Sequence, residues 1–110
     1  MNAESYEMRF LREALGCENF GVSVMRIAEG FRQPFGHRHD HAEEVYLVVS
    51  GQARLKLDDD ILDLTPWMAV RVAPQTLRAV EGGDGGAVII VVGSPVVPGD
   101  GELVHGWWSD

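Results

Sequence analysis

The stretch HRHDHAEEVYLVVSG, residues 37–51, carries the strongest chemical signal in the chain. If residues 37–41 form a strand, the alternation of side chains points His37, His39 and His41 to one face. Imidazole and carboxylate groups suit Zn, Fe, Mn, Ni or Cu, and two histidines with one carboxylate form the facial triad of non-haem iron enzymes. A solvated loop with locally paired charges would contain the same residues, so the spacing alone leaves both interpretations open.

Short runs of apolar and β-branched residues surround this stretch and predict further strands. They lie at 20–28, 44–50, 53–57, 61–64, 70–72 and 87–92. Turn-forming residues separate them: Ser50 and Gly51, the acidic turn 58–60, and the glycine-rich stretch 81–86, which composition predicts to be a loop. Seven or more short strands with little helix predict an all-β sandwich, jelly roll or closed barrel.

The N-terminal segment SYEMRFLREAL, residues 5–15, predicts the one helix of the chain. Tyr6, Phe10 and Ala14 are spaced four residues apart, and Gly16 follows as a residue suited to end a helix. An extended arm packed on the domain is the alternative. The length of 110 residues fits a single domain.

Residues 37–51 resemble the first conserved motif of the cupin superfamily. That motif has His-x-His, three or four residues, Glu, six residues and Gly, which His37, His39, Glu44 and Gly51 match. The family usually has a glycine six residues before the first histidine, where this chain has Phe31. The resemblance, which extends to small single-domain bacterial cupins, implies a double-stranded β-helix, or jelly-roll barrel, with both histidines and the glutamate facing its interior. It divides the chain into an N-terminal arm 1–19, a barrel at about 20–93 and a tail 94–110.

The second cupin motif is matched in order and spacing but not in its signature residues. In the best frame, Arg78 stands where the family has its last metal-binding histidine. Guanidinium has no lone pair to offer, so Arg78 cannot be a ligand and is expected to pair with Glu44 if it faces inward. Tyr46 lies two residues after Glu44 and would share its face, so Arg78 and Tyr46 are predicted to line the ligand pocket.

Two functions follow from the resemblance. In the first, His37, His39 and Glu44 hold a divalent metal (Fe, Mn, Ni or Zn), with His41 as a further candidate ligand, and a small-molecule substrate binds beside it. Oxygenation, isomerisation and decarboxylation all remain open, as does whether the protein is an enzyme. In the second, no metal is present and a Glu44–Arg78 pocket binds or senses a small ligand.

Charge and cysteine content narrow the range of partners. A net charge of −8 disfavours binding to nucleic acid or to an anionic membrane surface. The lone cysteine, Cys17, excludes an intrachain disulfide and fits a reducing compartment. No secretory leader or membrane-spanning run is evident, so a cytoplasmic location is expected. Trp107 and Trp108 are predicted to cap the barrel mouth or to pack in a homodimer interface.

Overall fold

The computed structural model describes residues 4–105 and 107–108, which are mostly β-strand. The strands are β1 (Tyr6–Phe10), β2 (Gly21–Ile27), β3 (Phe35–His39), β4 (Glu43–Leu57), β5 (Asp60–Leu64), β6 (Ala69–Val72), β7 (Arg78–Ser94) and β8 (Gly101–His105). One short helix, α1 (Arg12–Leu15), lies between β1 and β2. Within these residues no helix is long and apolar enough to cross a membrane. The prediction of an all-β fold is confirmed.

The two longest strands, β4 and β7, form the centre of a curled antiparallel sheet. Residues 43–51 of β4 pair with 87–94 of β7, and residues 53–57 pair with 78–82. On its other edge β7 pairs with β2 and β3, while β4 pairs with β5 and β6. Because both long strands bend partway along, one antiparallel pair contributes to both sides of the barrel.

Glycines make this bend possible. The loop predicted at 81–86 is wrong, because β7 runs through these residues, and β4 does not end at Gly51. Instead, the β4–β7 register shifts around Gly51, and φ is +76° at Gly51, Gly85 and Gly86. Glycine adopts positive φ without the steric penalty of a side chain, so the strands kink here and continue.

The helix predicted over residues 5–15 is wrong in its first half. Residues 6–10 form β1, which pairs with β2 from Tyr6↔Ile27 to Phe10↔Ser23. Tyr6 and Met8 pack against the core, and Tyr6 stacks on Phe31 with ring centres 5.5 Å apart. The period-two pattern prevails because β2 offers a free edge and an apolar face. The helix begins only at Arg12, and Gly16 ends it with φ +71°, as expected.

The C-terminal region also joins the sheet. Residues 95–100 are irregular, but β8 follows and pairs with β3 from Phe35↔His105 to His39↔Gly101. The Trp107 ring lies over Lys56, whose Nζ is 4.2 Å from the ring centre, and the Trp108 indole donates to the Gln33 carbonyl at 2.8 Å. Both tryptophans therefore pack on the barrel of their own chain.

The apolar core fills one end of the barrel and leaves the other end open. Its buried members are Met25, Ile27, Tyr46, Val48, Ala53, Leu55, Leu64, Val72, Val80, Ala87, Ile89 and Val91. Full burial of one large aliphatic side chain contributes about 1.5–3 kcal/mol. Strand β2 shows the division, since Met25 and Ile27 belong to the core whereas Val22 and Ser23 line a cavity at the open end.

Candidate metal centre

The site lies where β3 ends and β4 begins. Alternation along β3 turns His37 and His39 to the same face, and Glu44 enters from the start of β4. His37 Nε2 lies 3.8 Å from Glu44 Oε1, and His39 Nε2 lies 3.6 Å from Glu44 Oε2. One donor atom from each residue falls within 4.8 Å of the others. The three side chains named by the first sequence motif are thus brought together.

Glu44 is held by groups on the side away from the cavity. The Tyr46 hydroxyl donates to Glu44 Oε1 at 3.2 Å, and Arg78 Nε lies 3.4 Å from the same oxygen. Burial alone would raise the pKa of Glu44, but interactions with His37 and His39 and the charge of Arg78 outweigh it and hold that pKa well below its ordinary value. Burial raises the pKa of Tyr46, so its hydroxyl keeps the proton it donates.

Arg78 lies behind Glu44 rather than on the cavity wall. Its side chain is completely buried, and its guanidinium donates to the carbonyl oxygens of Thr76 at 2.7 Å, Pro74 at 3.0 Å and Ala73 at 3.3 Å. Tyr46 is also buried. Arg78 and Tyr46 were predicted to line the ligand pocket, and neither is among the residues that face this cavity. The expected Arg78–Glu44 pair is present.

His41 does not join the group. Strand β3 ends at His39, so the alternation stops and the His41 ring turns out to solvent with 62% of its side chain exposed. Its Nδ1 lies 2.8 Å from Asp100 Oδ1. Among the residues described, the donor group that could hold an ion contains His37, His39 and Glu44, and His41 lies outside it.

Asp100 is a site residue that sequence reasoning missed. It is buried, accepts hydrogen bonds from the backbone N–H groups of His41 and Ala42, and places Oδ2 3.3 Å from His39 Nδ1. Burial would raise the pKa of Asp100, but the hydrogen bond with the His41 ring and the two backbone N–H donors outweigh burial and lower that pKa, so Asp100 stays a carboxylate. Its neighbours Pro98 and Gly99 mark a turn, and nothing in their spacing indicates that β8 folds the turn back onto β3.

A cavity of about 950 Å³ opens beside the three donors. Most of its wall is apolar, with side chains from both ends of the chain: Tyr6, Met8 and Phe10 of β1, Phe31 and Phe35, and Val96, Val97 and Leu103. Polar groups are few and include Gln33, Ser23 and Arg12 besides the site itself. A mostly apolar cavity with a few convergent polar groups is typical of a small-molecule site.

Comparison with solved structures supports the fold. The protein PAC13 from Streptomyces, in a variant form with uridine, aligns with a TM-score of 0.78 at 17% identity, over 96% of this chain and 82% of its own. A sugar phosphate isomerase of the cupin superfamily from Silicibacter pomeroyi aligns at 0.74 and 19%, over 94% and 78%. An RmlC-like cupin from Desulfovibrio desulfuricans aligns at 0.73 and 18%, over 87% and 88%. The chain has a cupin-type fold.

Comparison of the sequence with protein families and curated proteins does not indicate a function for this chain. No protein-family model matches the chain. No functionally curated protein matches it either. At identities below 20%, the solved cupins establish the barrel alone.

The donor set fits a divalent ion. Two imidazoles and one carboxylate are ligands that Fe, Mn, Ni and Zn accept, and three protein ligands leave coordination positions open toward the cavity. Both ring nitrogens of His39 are buried and neither makes a hydrogen bond. A buried polar atom without a partner is unfavourable, and an ion bound through Nε2 would satisfy one of the two.

Proposed function

We propose that this protein is a small cupin-type barrel that binds a divalent metal through His37, His39 and Glu44 and a small molecule in the adjoining cavity. The convergence of three donor atoms within 4.8 Å at the wall of a largely apolar cavity carries the proposal. A metal held there would act as a Lewis acid toward an oxygen of the bound molecule.

The chain's own residues set the electrostatics of this site. Glu44 supplies one negative charge, which the buried Arg78 balances at 3.4 Å. The charges of Glu44 and Arg78 thus cancel, and Asp100 adds one negative charge behind His39. We therefore expect weaker metal binding than in a site where a neutral histidine replaced Arg78, because the guanidinium opposes the cation.

The cavity wall defines what the bound molecule meets. Apolar side chains of β1 and of residues 95–100 form much of the wall around the metal-facing space. Among the solved relatives, one is a sugar phosphate isomerase and another is the DMSP lyase DddQ of Ruegeria pomeroyi. Both names denote chemistry on small organic molecules, which supports a small-molecule ligand here and leaves its reaction open.

Metal analysis of tag-free protein tests the proposal. We expect one equivalent of Fe, Mn, Ni or Zn by plasma mass spectrometry, and its loss in His37→Ala and in Glu44→Ala. His105→Ala is the matched control, because His105 is exposed on β8 and outside the donor group. Wild-type protein that is metal-free and ignores all four added ions would contradict the proposal.

A metal-free binding site is the second candidate. It is favoured by one observation: Arg78 Nε approaches Glu44 more closely, at 3.4 Å, than His37 does at 3.8 Å. Arg78 thus gives Glu44 a positively charged partner from the protein itself. Because Arg78 lies outside the cavity lining, a ligand in that case would contact Glu44 and the two histidines but not the guanidinium.

We also propose a cytoplasmic homodimer. Several large apolar side chains are exposed, among them Phe10 at 73%, Leu15 at 66% and Leu103 at 54%. Such side chains are enriched where protein surfaces associate. Light scattering would give twice the chain mass of 12.1 kDa for a dimer. A mass equal to that of one chain across the micromolar range would contradict it.

A further inference from the structure

Arg12 is the exception among the cationic side chains of the described residues. Each of the other seven arginines has a carboxylate within ion-pair distance: Arg9, Arg26, Arg32, Arg38, Arg54, Arg71 and Arg78. Lys56 donates to the Trp107 carbonyl and lies over its ring. Arg12 is the one arginine without a carboxylate partner within residues 4–105 and 107–108, although the chain carries 17 acidic residues.

The position of Arg12 gives this exception a meaning. Arg12 lines the cavity, and its Nε is buried without a hydrogen-bond partner. Its backbone is held in place, because the N–H of the preceding Leu11 donates to Val22 O of β2 at 2.9 Å and the Cys17 N–H donates to Arg12 O at 2.9 Å. Arg12 is half-buried, and an anion in the cavity would give its buried Nε the charge-assisted hydrogen bond that it lacks.

Strand registers relate Arg12 to the metal centre. Leu11 joins β2 at Val22, Gly21 of β2 pairs with Gly93 of β7, and Gly93 pairs with Glu44 of β4. Three strand spacings of about 4.8 Å each give a path of about 14 Å along the curled sheet between the backbones of Leu11 and Glu44. One small molecule can therefore span both ends.

We propose that Arg12 binds the anionic group of an amphipathic small molecule whose apolar body fills the cavity between Arg12 and the His37–His39–Glu44 group. The ligand class is an organic acid, carrying a carboxylate, sulfonate or phosphate. This deepens the proposed small-molecule function and rests on it, but it does not require that a metal be bound. Glu13 also lines the cavity, is exposed and forms no ion pair with Arg12.

A matched pair of fluorescent probes tests this. The probe 8-anilinonaphthalene-1-sulfonate has an apolar aromatic body and one sulfonate, and N-phenyl-1-naphthylamine is the same body without the anion. Both are titrated into wild type, Arg12→Met and Arg9→Met in the presence of EDTA. Arg9 is the control, because it is a nearby arginine that is paired with Glu7 at 2.7 Å and does not line the cavity.

We expect Arg12→Met to weaken sulfonate-probe binding about tenfold or more, as loss of a charged hydrogen bond does, and to leave the neutral probe unchanged. Arg9→Met should change neither. Each of four results would overturn the proposal. In Arg12→Met these are equal weakening of both probes or unchanged binding of the sulfonate probe. The others are an equal effect in Arg9→Met and no binding of the sulfonate probe by wild type. Near-UV circular dichroism of each variant shows whether it is folded. Probe fluorescence that comes from unfolded chains would also overturn the proposal. EDTA separates this outcome from that of the metal proposal.

Discussion

Arg78 shows how one residue can occupy a ligand's position and serve another purpose. Its Cα pairs with that of His37 across β3 and β7, so it lies where a fourth ligand would reach the donor group. Its guanidinium instead ties the turn at 73–76 to Glu44. The sequence predicted the Glu44 contact, because chemistry excluded Arg78 as a ligand. It could not predict the three carbonyl contacts, which depend on the path of the turn.

Asp100 provides a residue-level prediction about the orientation of His39. Asp100 Oδ2 lies 3.3 Å from His39 Nδ1 without the geometry of a hydrogen bond. When Nε2 binds an ion, Nδ1 carries the proton and can donate it to this carboxylate, and loss of such a partner weakens metal binding by about 10–100-fold. We expect Asp100→Asn to lower metal affinity by this order, measured by calorimetric titration of EDTA-treated protein with Zn(II). His41 N–H donates to Oδ1 of Asp100 and Ala42 N–H donates to Oδ2, so the single oxygen of asparagine retains one of these two backbone contacts.

Asp59→Asn is the control for this test. Asp59 is an exposed acid in the turn between β4 and β5, so its variant makes the same change in net charge away from the site. Equal affinity in Asp100→Asn and wild type would mean that Asp100 organises only the β3–β4 turn.

At the level of elements, the strands were predicted better than their ends. Alternation in 53–57 and the apolar run at 87–92 both lie in strands of the structure. The glycine-rich stretch 81–86 was wrongly predicted to be a loop. Glycine indicates that unusual backbone angles are allowed, and a β-bulge requires such angles as often as a loop does. The spacing of Tyr6 and Phe10 fits a helix and a strand equally, and only the edge of β2 distinguishes them.

The bend in β4 gives a prediction with an internal control. Gly51 and Gly85 both have φ +76°. A Cβ at Gly51 would collide with the Gly86 carbonyl oxygen, whereas a Cβ at Gly85 would meet nothing within 4 Å. We expect Gly85→Ala to lower the free energy of unfolding by about 1–2 kcal/mol, the penalty of positive φ. Gly51→Ala should lower the free energy of unfolding by a further amount of about 1–3 kcal/mol, because its Cβ overpacks the neighbouring strand.

Urea denaturation of the two alanine variants measures this difference. Equal losses would show that β4 and β7 separate easily at the bend, which would contradict the close approach of Gly51 and Gly86.

At the level of the whole molecule, the site is assembled from segments far apart in sequence. The motif at 37–44 predicted its three donors because they lie on one strand and the start of the next. Asp100 and Arg12 reach the same cavity from opposite ends of the chain, through β8 and β1. Neither end of the sequence shows a pattern that identifies the strand with which it pairs. The arm and the tail were therefore predicted to lie outside the barrel.

Packing of the tail on the barrel supplies the last prediction. A Cβ on Gly36 would lie 2.8 Å from the Trp107 ring, so only glycine lets that ring rest on β3, and Lys56 donates to the Trp107 carbonyl from β4. The ring is half-buried, so we expect Trp107→Ala to lower the free energy of unfolding by about 2–4 kcal/mol, somewhat below a fully buried tryptophan. Trp67→Ala, at a residue that is 72% exposed, should change it by less than about 0.5 kcal/mol. If the two variants unfold at the same urea concentration, the tail does not contribute to the stability of the barrel. If Trp107→Ala alone is destabilised, the cooperative folding unit extends past β8. In that case β8, which follows Asp100, is held by its pairing with β3 and by the packing of Trp107.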